Sequence, residues 1–229
     1  MRTDNLDVSM SLASGIDDRY KLWYKTLAQR NLNLVKNKTA HTMFSYEGGD
    51  MGVWHIPSKV LIYPKLVELL NKHYPGKVYK NGVDIGCGTV SFFDHLPVEQ
   101  TLLIELCEEY CEFMKGLGYN IQQGDIEALT LKDKSMDIVV CSDIFEHVLS
   151  LDNALSEVKR VLKDDGVVVG NIPWKQVLGT VTVEEFSHIR TFNESNLYER
   201  FKEWKIIADE VIPSVRGWIP TLNFVMKKA

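Results

Sequence analysis

The stretch that decides the fold is VDIGCGT, residues 83–89, in which an apolar strand runs directly into a turn that holds Gly86 and Gly88. Glycines at this place let the chain turn tightly and let backbone N–H groups approach a ligand, with a helix amino terminus expected behind them. The dinucleotide fingerprint G-x-G-x-x-G would need a third glycine at position 91, where Ser91 stands. The turn therefore predicts a strand, a ligand-facing turn and a helix, and it leaves the ligand open.

Strand and helix patterns alternate along the chain after this turn. Apolar runs typical of buried strands occupy residues 82–85, 101–104, 136–141 and 167–172, and residues 120–123 form a weaker strand pattern between them; helical patterns follow the runs 101–104 and 136–141. Because continuous apolar strands separated by helices form parallel sheets covered on both faces, we predict a doubly wound, Rossmann-like α/β fold. A helical pattern over 193–204 and strand-like runs over 205–212 and 222–227 add a terminal antiparallel hairpin and complete a seven-stranded, mostly parallel sheet.

The amino-terminal part of the chain has helical patterns and aromatic residues but no strand signal. Pro64 suits the first residue of a helix, and we divide the chain into an amino-terminal helical cap, residues 1–78, and a core, residues 79–229. The aromatic side chains of the cap either close over a substrate as a lid or pack the cap onto the sheet. These side chains are Tyr20, Trp23, Tyr24, Phe44, Tyr46 and Trp54, with His55 as a further candidate for a substrate contact.

Composition narrows the class of function. The 229 residues carry 26 Lys and Arg against 31 Asp and Glu, a net charge of −5 that disfavours nucleic acid as a partner. No apolar run has the length of a signal peptide or a membrane span, so we expect a cytoplasmic protein. The four cysteines form no C-x-x-C pair and are expected to be reduced.

Acidic residues follow three of the predicted strands. Glu105 closes the second strand about 20 residues after the glycines, where a carboxylate can accept both hydroxyls of a ribose. Asp125 follows the third strand, where it can accept from an exocyclic amine, and Asp84 precedes the turn, where it can orient the backbone or meet an ammonium group. Asp84 would repel a cofactor diphosphate. The three acids therefore favour a cationic cofactor that contains adenosine but no diphosphate.

Six segments, taken together, resemble the class I S-adenosylmethionine-dependent methyltransferases over roughly residues 80–229. They are VDIGCGT, LLIEL, GDIEAL, SMDIVVCSDIFEHV, ALSEVKRVLKDDGVVV and the final strand pair. Val90 departs from the family, which often has a third glycine there. The resemblance implies S-adenosylmethionine as the cofactor, S-adenosylhomocysteine as the product, and a binding set for the methionine portion, the ribose, the adenine and the floor near the sulfonium. That set is Asp84, Gly86, Cys87, Gly88, Glu105, Leu106, Asp125, Ile126, Ser142 and Asp143.

A possible metal or base constellation follows the fourth strand. Asp143, Glu146 and His147 have the spacing i, i+3, i+4, which places them on one face of a helical turn. With His188 they could hold a divalent cation such as Mg²⁺. The pattern resembles the ubiquinone-pathway O-methyltransferases and the small-RNA 2′-O-methyltransferases, although the RNA version fits the acidic chain badly. Alternatively His147 is a metal-free general base or a pocket wall, beside a Glu146 that begins a helix.

The predicted function is methyl transfer from S-adenosylmethionine to a small-molecule acceptor, most simply a hydroxyl, with His147, Glu146 and His188 as the catalytic candidates. An N-methyltransferase of a small amine or amino sugar and a non-catalytic cofactor-binding or partner-binding module stay open as alternatives. A nicotinamide oxidoreductase is disfavoured by the missing third glycine and by the terminal hairpin. The sequence does not specify the acceptor or the oligomeric state.

Overall fold

The structure, a computed structural model, describes residues 55–176, 188–213 and 220–229. The α-helices are α1 (His55–His73), α2 (Glu108–Gly116), α3 (Leu151–Val161) and α4 (Leu197–Arg200). The strands are β1 (Tyr79–Ile85), β2 (Val98–Glu105), β3 (Ile121–Gln123), β4 (Met136–Ser142), β5 (Leu162–Pro173), β6 (Trp204–Ile212) and β7 (Thr221–Lys228). Short 3-10 turns cover Phe92–Asp94 and Ile126–Ala128.

The seven strands form one sheet in the order β3-β2-β1-β4-β5-β7-β6. Strands β1 to β5 pair in parallel, whereas β7 runs antiparallel to both β5 and β6. This confirms the predicted doubly wound sheet with its terminal antiparallel hairpin. The strand order reverses between β1 and β4, so the carboxyl ends of these two strands border the crevice in which ligands bind in such sheets.

Both faces of the sheet are covered. On one face, apolar side chains of β1, β4 and β5 pack in one cluster with α3. On the other, Tyr63, Leu66 and Leu70 of α1 pack with Val140 and Val225. Helix α1 thus belongs to the packing of the sheet, although its residues fall within the predicted cap.

The amino-terminal region was predicted to hold a helix that begins at Pro64 and a set of lid aromatics. The helix expected to begin at Pro64 begins at His55, and Pro64 lies inside it. The predicted lid aromatics between Tyr20 and Trp54 lie outside the described residues. The boundary at residue 78 therefore stays a prediction.

The prediction of a helix after the glycine turn is wrong. The connection from β1 to β2 holds only the 3-10 turn Phe92–Asp94, and β2 begins at Val98. The physical reason is the short connection: the Ser91 side chain caps the turn by accepting from the Phe93 N–H, the Phe92 ring is fully buried, and Pro97 has no N–H to extend a helix. His95 is the residue that ends the 3-10 turn.

The second half of the sheet also has shifted boundaries. Helix α3 runs directly into β5, which begins at Leu162, five residues before the predicted strand run 167–172. The helix expected over 193–204 is reduced to α4. No described helix has the length and apolar character needed to cross a membrane.

Candidate active site

The glycine turn has the conformation that its sequence predicts. Gly86 and Gly88 have φ angles of 72° and 62°, which side chains other than glycine rarely adopt. A Cβ atom added to Gly86 would lie 2.8 Å from Cδ1 of Ile144. The turn after β1 therefore lies directly against the segment that follows β4, and only glycine fits between them.

Asp84 and Glu105 are buried beside this turn. Asp84 Oδ2 accepts a hydrogen bond from the Phe92 N–H at 2.8 Å, while its Oδ1 is buried without a partner among the described residues. Burial raises the pKa of Asp84 to about 6, although the Lys59 charge and the Phe92 N–H oppose the shift. The unpartnered oxygen fits a ligand that brings a proton donor, such as an ammonium group.

Glu105 joins the glycine turn to the end of β2. Its Oε2 accepts from the Gly88 N–H at 2.9 Å and its Oε1 from the Cys107 N–H at 3.0 Å. Burial raises its pKa, and these two N–H groups oppose the shift. Each carboxylate oxygen keeps a second lone pair, so the residue can still accept from a diol.

The remaining adenosine candidates follow β2 and β3. Asp125 Oδ1 caps the 3-10 turn Ile126–Ala128 by accepting from the Glu127 N–H at 2.9 Å. The Ile126 side chain is buried in the same cluster as Ile104, and Leu106 is half-buried. Asp125 thus orients a short turn whose buried isoleucine anchors it to the sheet.

Cys87 and Ser142 lie at the ends of β1 and β4. Burial raises the pKa of the Cys87 thiol well above its ordinary value, which agrees with a structural role in the turn. The Ser142 hydroxyl donates to Asn171 Oδ1 at 2.5 Å, and Asn171 Nδ2 donates to Asp143 Oδ1 at 2.5 Å. Asn171, which sequence reasoning missed, thereby fixes both predicted floor residues.

The structure also places a lysine in the site that sequence reasoning missed. Lys59 of α1 is 4% exposed, and its Nζ donates to Gly86 O at 3.0 Å and Cys87 O at 3.1 Å. Its positive charge lowers the pKa values of the buried acids around it, which are Asp84, Glu105, Asp143 and Glu146. A signal for it exists in the sequence, because Lys59 interrupts the buried stripe of α1 four residues before Tyr63 and seven before Leu66.

Three of the four predicted metal ligands come together after β4. Ligand atoms of Glu146, His147 and His188 all lie within 4.8 Å of one another, and the two imidazole centroids are 4.7 Å apart. Asp143 does not join this group, which corrects its predicted place in it. The reason is the backbone: Asp143 has φ 49°, and the hydrogen-bonded turn from Ile144 to His147 begins only after it, so the expected helical turn does not form.

The electrostatics of this cluster are unusual. Glu146 is fully buried and both its carboxyl oxygens have no hydrogen-bond partner among the described residues. Burial and the neighbouring Asp143 raise its pKa well above its ordinary value. Burial, helped by His147, lowers the pKa of His188 to about 3, so this imidazole is neutral at neutral pH.

The orientation of His188 is set by Gln176. The two side chains share a hydrogen bond of 2.6 Å between His188 Nδ1 and Gln176 Oε1. Because an amide oxygen accepts, the proton lies on Nδ1 and the lone pair on Nε2. Glu146 and His188 thus offer a carboxyl group without partners and a neutral imidazole, which can receive a proton or a cation between them.

Comparisons with known proteins agree with this geometry. Residues 83–170 match the protein family described as "Methyltransferase domain". Malonyl-[acyl-carrier protein] O-methyltransferase of Methylococcus capsulatus is 27% identical over 166 residues, which are 64% of this chain and 59% of that protein. Ubiquinone biosynthesis O-methyltransferase of Rickettsia canadensis is 22% identical over 200 residues, 76% of this chain and 81% of that protein.

A solved structure shows the same fold. The S-adenosylmethionine-dependent methyltransferase from Clostridium acetobutylicum superposes with a TM-score of 0.59 at 17% identity, over 77% of this chain and 97% of that one. The chain spans less than two thirds of the first curated relatives that it matches: 59% of the Methylococcus protein, and 64% and 55% of two uncharacterized proteins of Methanocaldococcus jannaschii.

The matched residues run from β1 into β5 and include the glycine turn, all three strand-end acids and the Glu146–His147 turn. Together with the strand order, they show that residues 83–170 match a methyltransferase domain within a fold similar to that of the class I S-adenosylmethionine-dependent methyltransferases. The family assigned from the sequence motifs is thereby confirmed. His188 lies outside the matched residues.

Proposed function

We propose that this domain transfers the methyl group of S-adenosylmethionine to a hydroxyl group of a small-molecule acceptor and releases S-adenosylhomocysteine. The observation that carries the proposal is the Glu146–His147–His188 cluster, in which the first two residues follow β4, in the same segment whose Ile144 lies against the glycine turn. A hydroxyl must lose its proton as it accepts a methyl group, and this cluster supplies proton acceptors there. Two of the relatives are named as O-methyltransferases, which agrees with an oxygen acceptor.

The cofactor would lie across the carboxyl ends of β1, β2 and β4. Asp84 Oδ1, which has no partner, suits the cofactor's ammonium group; the free lone pairs of Glu105 suit the ribose, and Asp125 suits the adenine amine. The turn residues Gly86, Cys87 and Gly88, with Leu106, Ile126, Ser142 and Asp143, complete the proposed set. The sulfonium supplies an activated methyl group, so the main task of the protein is to hold donor and acceptor in line.

His147 is the proposed general base. Its side chain is 21% exposed, which leaves it within reach of an acceptor, and its Nε2 lies 3.8 Å from Glu146 Oε1. The imidazole that takes the proton lies between the Glu146 carboxyl group and the neutral His188 ring, whose centroid is 4.7 Å from that of His147. The four described cysteines are free and buried, which supports the proposal that the reaction takes place in the reducing cytoplasm.

The same cluster fits a divalent cation. The unpartnered Glu146 oxygens, together with a His188 ring held by Gln176, are what a cation site needs, and His147 completes a set of three ligands. A bound cation would lower the pKa of an acceptor hydroxyl. In that case His147 holds the cation instead of taking the proton.

Transfer of radiolabelled methyl groups from S-adenosylmethionine to panels of small phenols, sugars and amines tests the proposal. We expect labelled product from hydroxyl acceptors and a loss of roughly 100-fold or more in turnover for His147→Ala, because general acid–base catalysis contributes about that much. The exposed His95→Ala variant should match the wild type. A chelator that abolishes transfer favours the cation, and unchanged turnover favours the metal-free base. Product from amines alone would contradict the oxygen acceptor.

A further inference from the structure

The turn that carries Glu146 and His147 is held at both ends by residues outside the proposed chemistry. Arg190 is 3% exposed and donates to Phe145 O at 2.6 Å and to Leu149 O at 3.1 Å. Glu127 Oε1 accepts from the Leu149 N–H at 2.6 Å. Leu149 is thus bound on its N–H side by an acid and on its carbonyl side by a base, which fixes the end of the turn.

Glu127 belongs to a different part of the site, the 3-10 turn Ile126–Ala128 that follows β3. Its own N–H donates to Asp125 Oδ1 at 2.9 Å. The backbone N–H of Glu127 therefore donates to Asp125, the residue proposed to bind the adenine, and the Glu127 side chain accepts from the turn that carries His147. The path from the Asp125 carboxylate to Leu149 is two hydrogen bonds long.

The charges around Glu127 support an acceptor role. Burial and the Asp125 charge raise the pKa of Glu127, while the backbone N–H groups of Ser150 and Leu149 and the charge of Arg190 lower it. An ionised carboxylate makes stronger hydrogen bonds to backbone N–H groups than a neutral acceptor does. At 2.6 Å, the hydrogen bond from the Leu149 N–H to Glu127 Oε1 is short, and it joins the 3-10 turn directly to the end of the turn that carries His147.

We propose that Glu127 is a positioning residue that links the adenine-binding turn to the turn that carries Glu146 and His147. The inference rests on the proposed function and adds to it. An adenine amine that donates to the second oxygen of Asp125 fixes the 3-10 turn, and Glu127 then fixes Leu149. The placement of the base thus depends on the bound cofactor.

A residue with a merely structural role would protect the Leu149 amide equally with and without cofactor. We therefore propose to follow amide hydrogen exchange by NMR in the full-length, ¹⁵N-labelled protein, with and without saturating S-adenosylhomocysteine. In the wild type, the Leu149 N–H should exchange at least roughly tenfold more slowly when the ligand is bound, because local opening then costs more.

Variants of Glu127 give the specific readout. Glu127→Ala should still bind S-adenosylhomocysteine within about threefold of the wild type, but the ligand should no longer slow exchange at Leu149. Glu127→Gln keeps an acceptor oxygen and should restore the response. The matched control is Asp137→Ala, because Asp137 Oδ2 also accepts a backbone N–H, that of Asn81 at 2.8 Å, but joins β4 to β1 outside both turns. This control should keep the full response.

Three results overturn the link. They are equal exchange at Leu149 with and without bound ligand in the wild type, a full ligand response in Glu127→Ala, and no rescue by Glu127→Gln. If the wild type does not bind S-adenosylhomocysteine at all, the proposed function fails and the link fails with it. Calorimetry on the same samples separates that outcome from the other three.

Discussion

At the scale of single residues, buried charge is the feature that sequence reasoning predicted least well. Asp84, Glu105 and Asp125 could be placed from their positions after predicted strands, because strand ends meet at one edge of a parallel sheet. Lys59 was missed, because a lysine in a helix is most often solvated, even where it falls on an apolar stripe as it does in α1. Its ammonium group holds two carbonyls of the glycine turn.

Replacement of this lysine should destabilise the protein. Lys59→Met keeps the length of the side chain but removes both hydrogen bonds and the positive charge near four buried acids. We expect the free energy of unfolding at pH 7.5 to fall by about 2–4 kcal/mol, measured by urea denaturation. The control is Lys65→Met, an exposed position on the same helix, which should change it by less than about 0.5 kcal/mol. Equal effects of the two substitutions would contradict the role of Lys59.

At the scale of elements, the strands were predictable and one helix was not. Continuous apolar runs identified β1, β2, β4 and β5, because buried parallel strands need apolar side chains on both faces. The other three strands were predicted from weaker strand-like patterns. The prediction of a helix after the glycine turn was wrong because the connection is short and Phe92 and Pro97 favour a tight 3-10 turn there. The spacing of apolar residues does not show whether the segment between two strands is long enough to form a helix.

The cluster after β4 shows the same limit. The i, i+3, i+4 spacing placed Asp143, Glu146 and His147 on one face, and the structure brings only the last two together with His188. The left-handed backbone at Asp143 and its hydrogen bond from Asn171 separate it from the others. The contact with His188 is made by tertiary structure, since the Ile189 N–H donates to Glu146 O at 2.9 Å.

At the scale of the whole molecule, the shifted pKa values of the buried groups determine how the stability changes with pH, and more buried acids than histidines have shifted values. Burial raises the pKa of five carboxyl groups, listed here: Asp84, Glu105, Glu127, Asp143 and Glu146. A carboxyl with a raised pKa binds a proton in the folded protein at a pH where the unfolded chain has lost it. These groups therefore stabilise the fold as the pH falls from 7 through about 6. His188, with its pKa lowered to about 3, opposes this below pH 6.5.

Because five groups act against one, we expect the free energy of unfolding to be higher at pH 5.5 than at pH 7.5, by about 1–3 kcal/mol. Urea denaturation at the two pH values, without cofactor or divalent cations, measures it. The exposed acids held by surface lysines, such as Asp164 and Glu203, have lowered pKa values and lose their contribution only at more acidic pH. A lower stability at pH 5.5 would show that these carboxyls are well solvated or paired.

The central claim is that the strand-end acids form a site for S-adenosylmethionine. Calorimetric titration of S-adenosylhomocysteine into the wild type, Asp84→Asn and a surface control, Asp165→Asn, tests it most directly. We predict micromolar or tighter binding to the wild type and the control. Binding to Asp84→Asn should be at least roughly tenfold weaker, because the ammonium group loses a charged acceptor. No binding to the wild type, or equal binding to all three, would contradict the account.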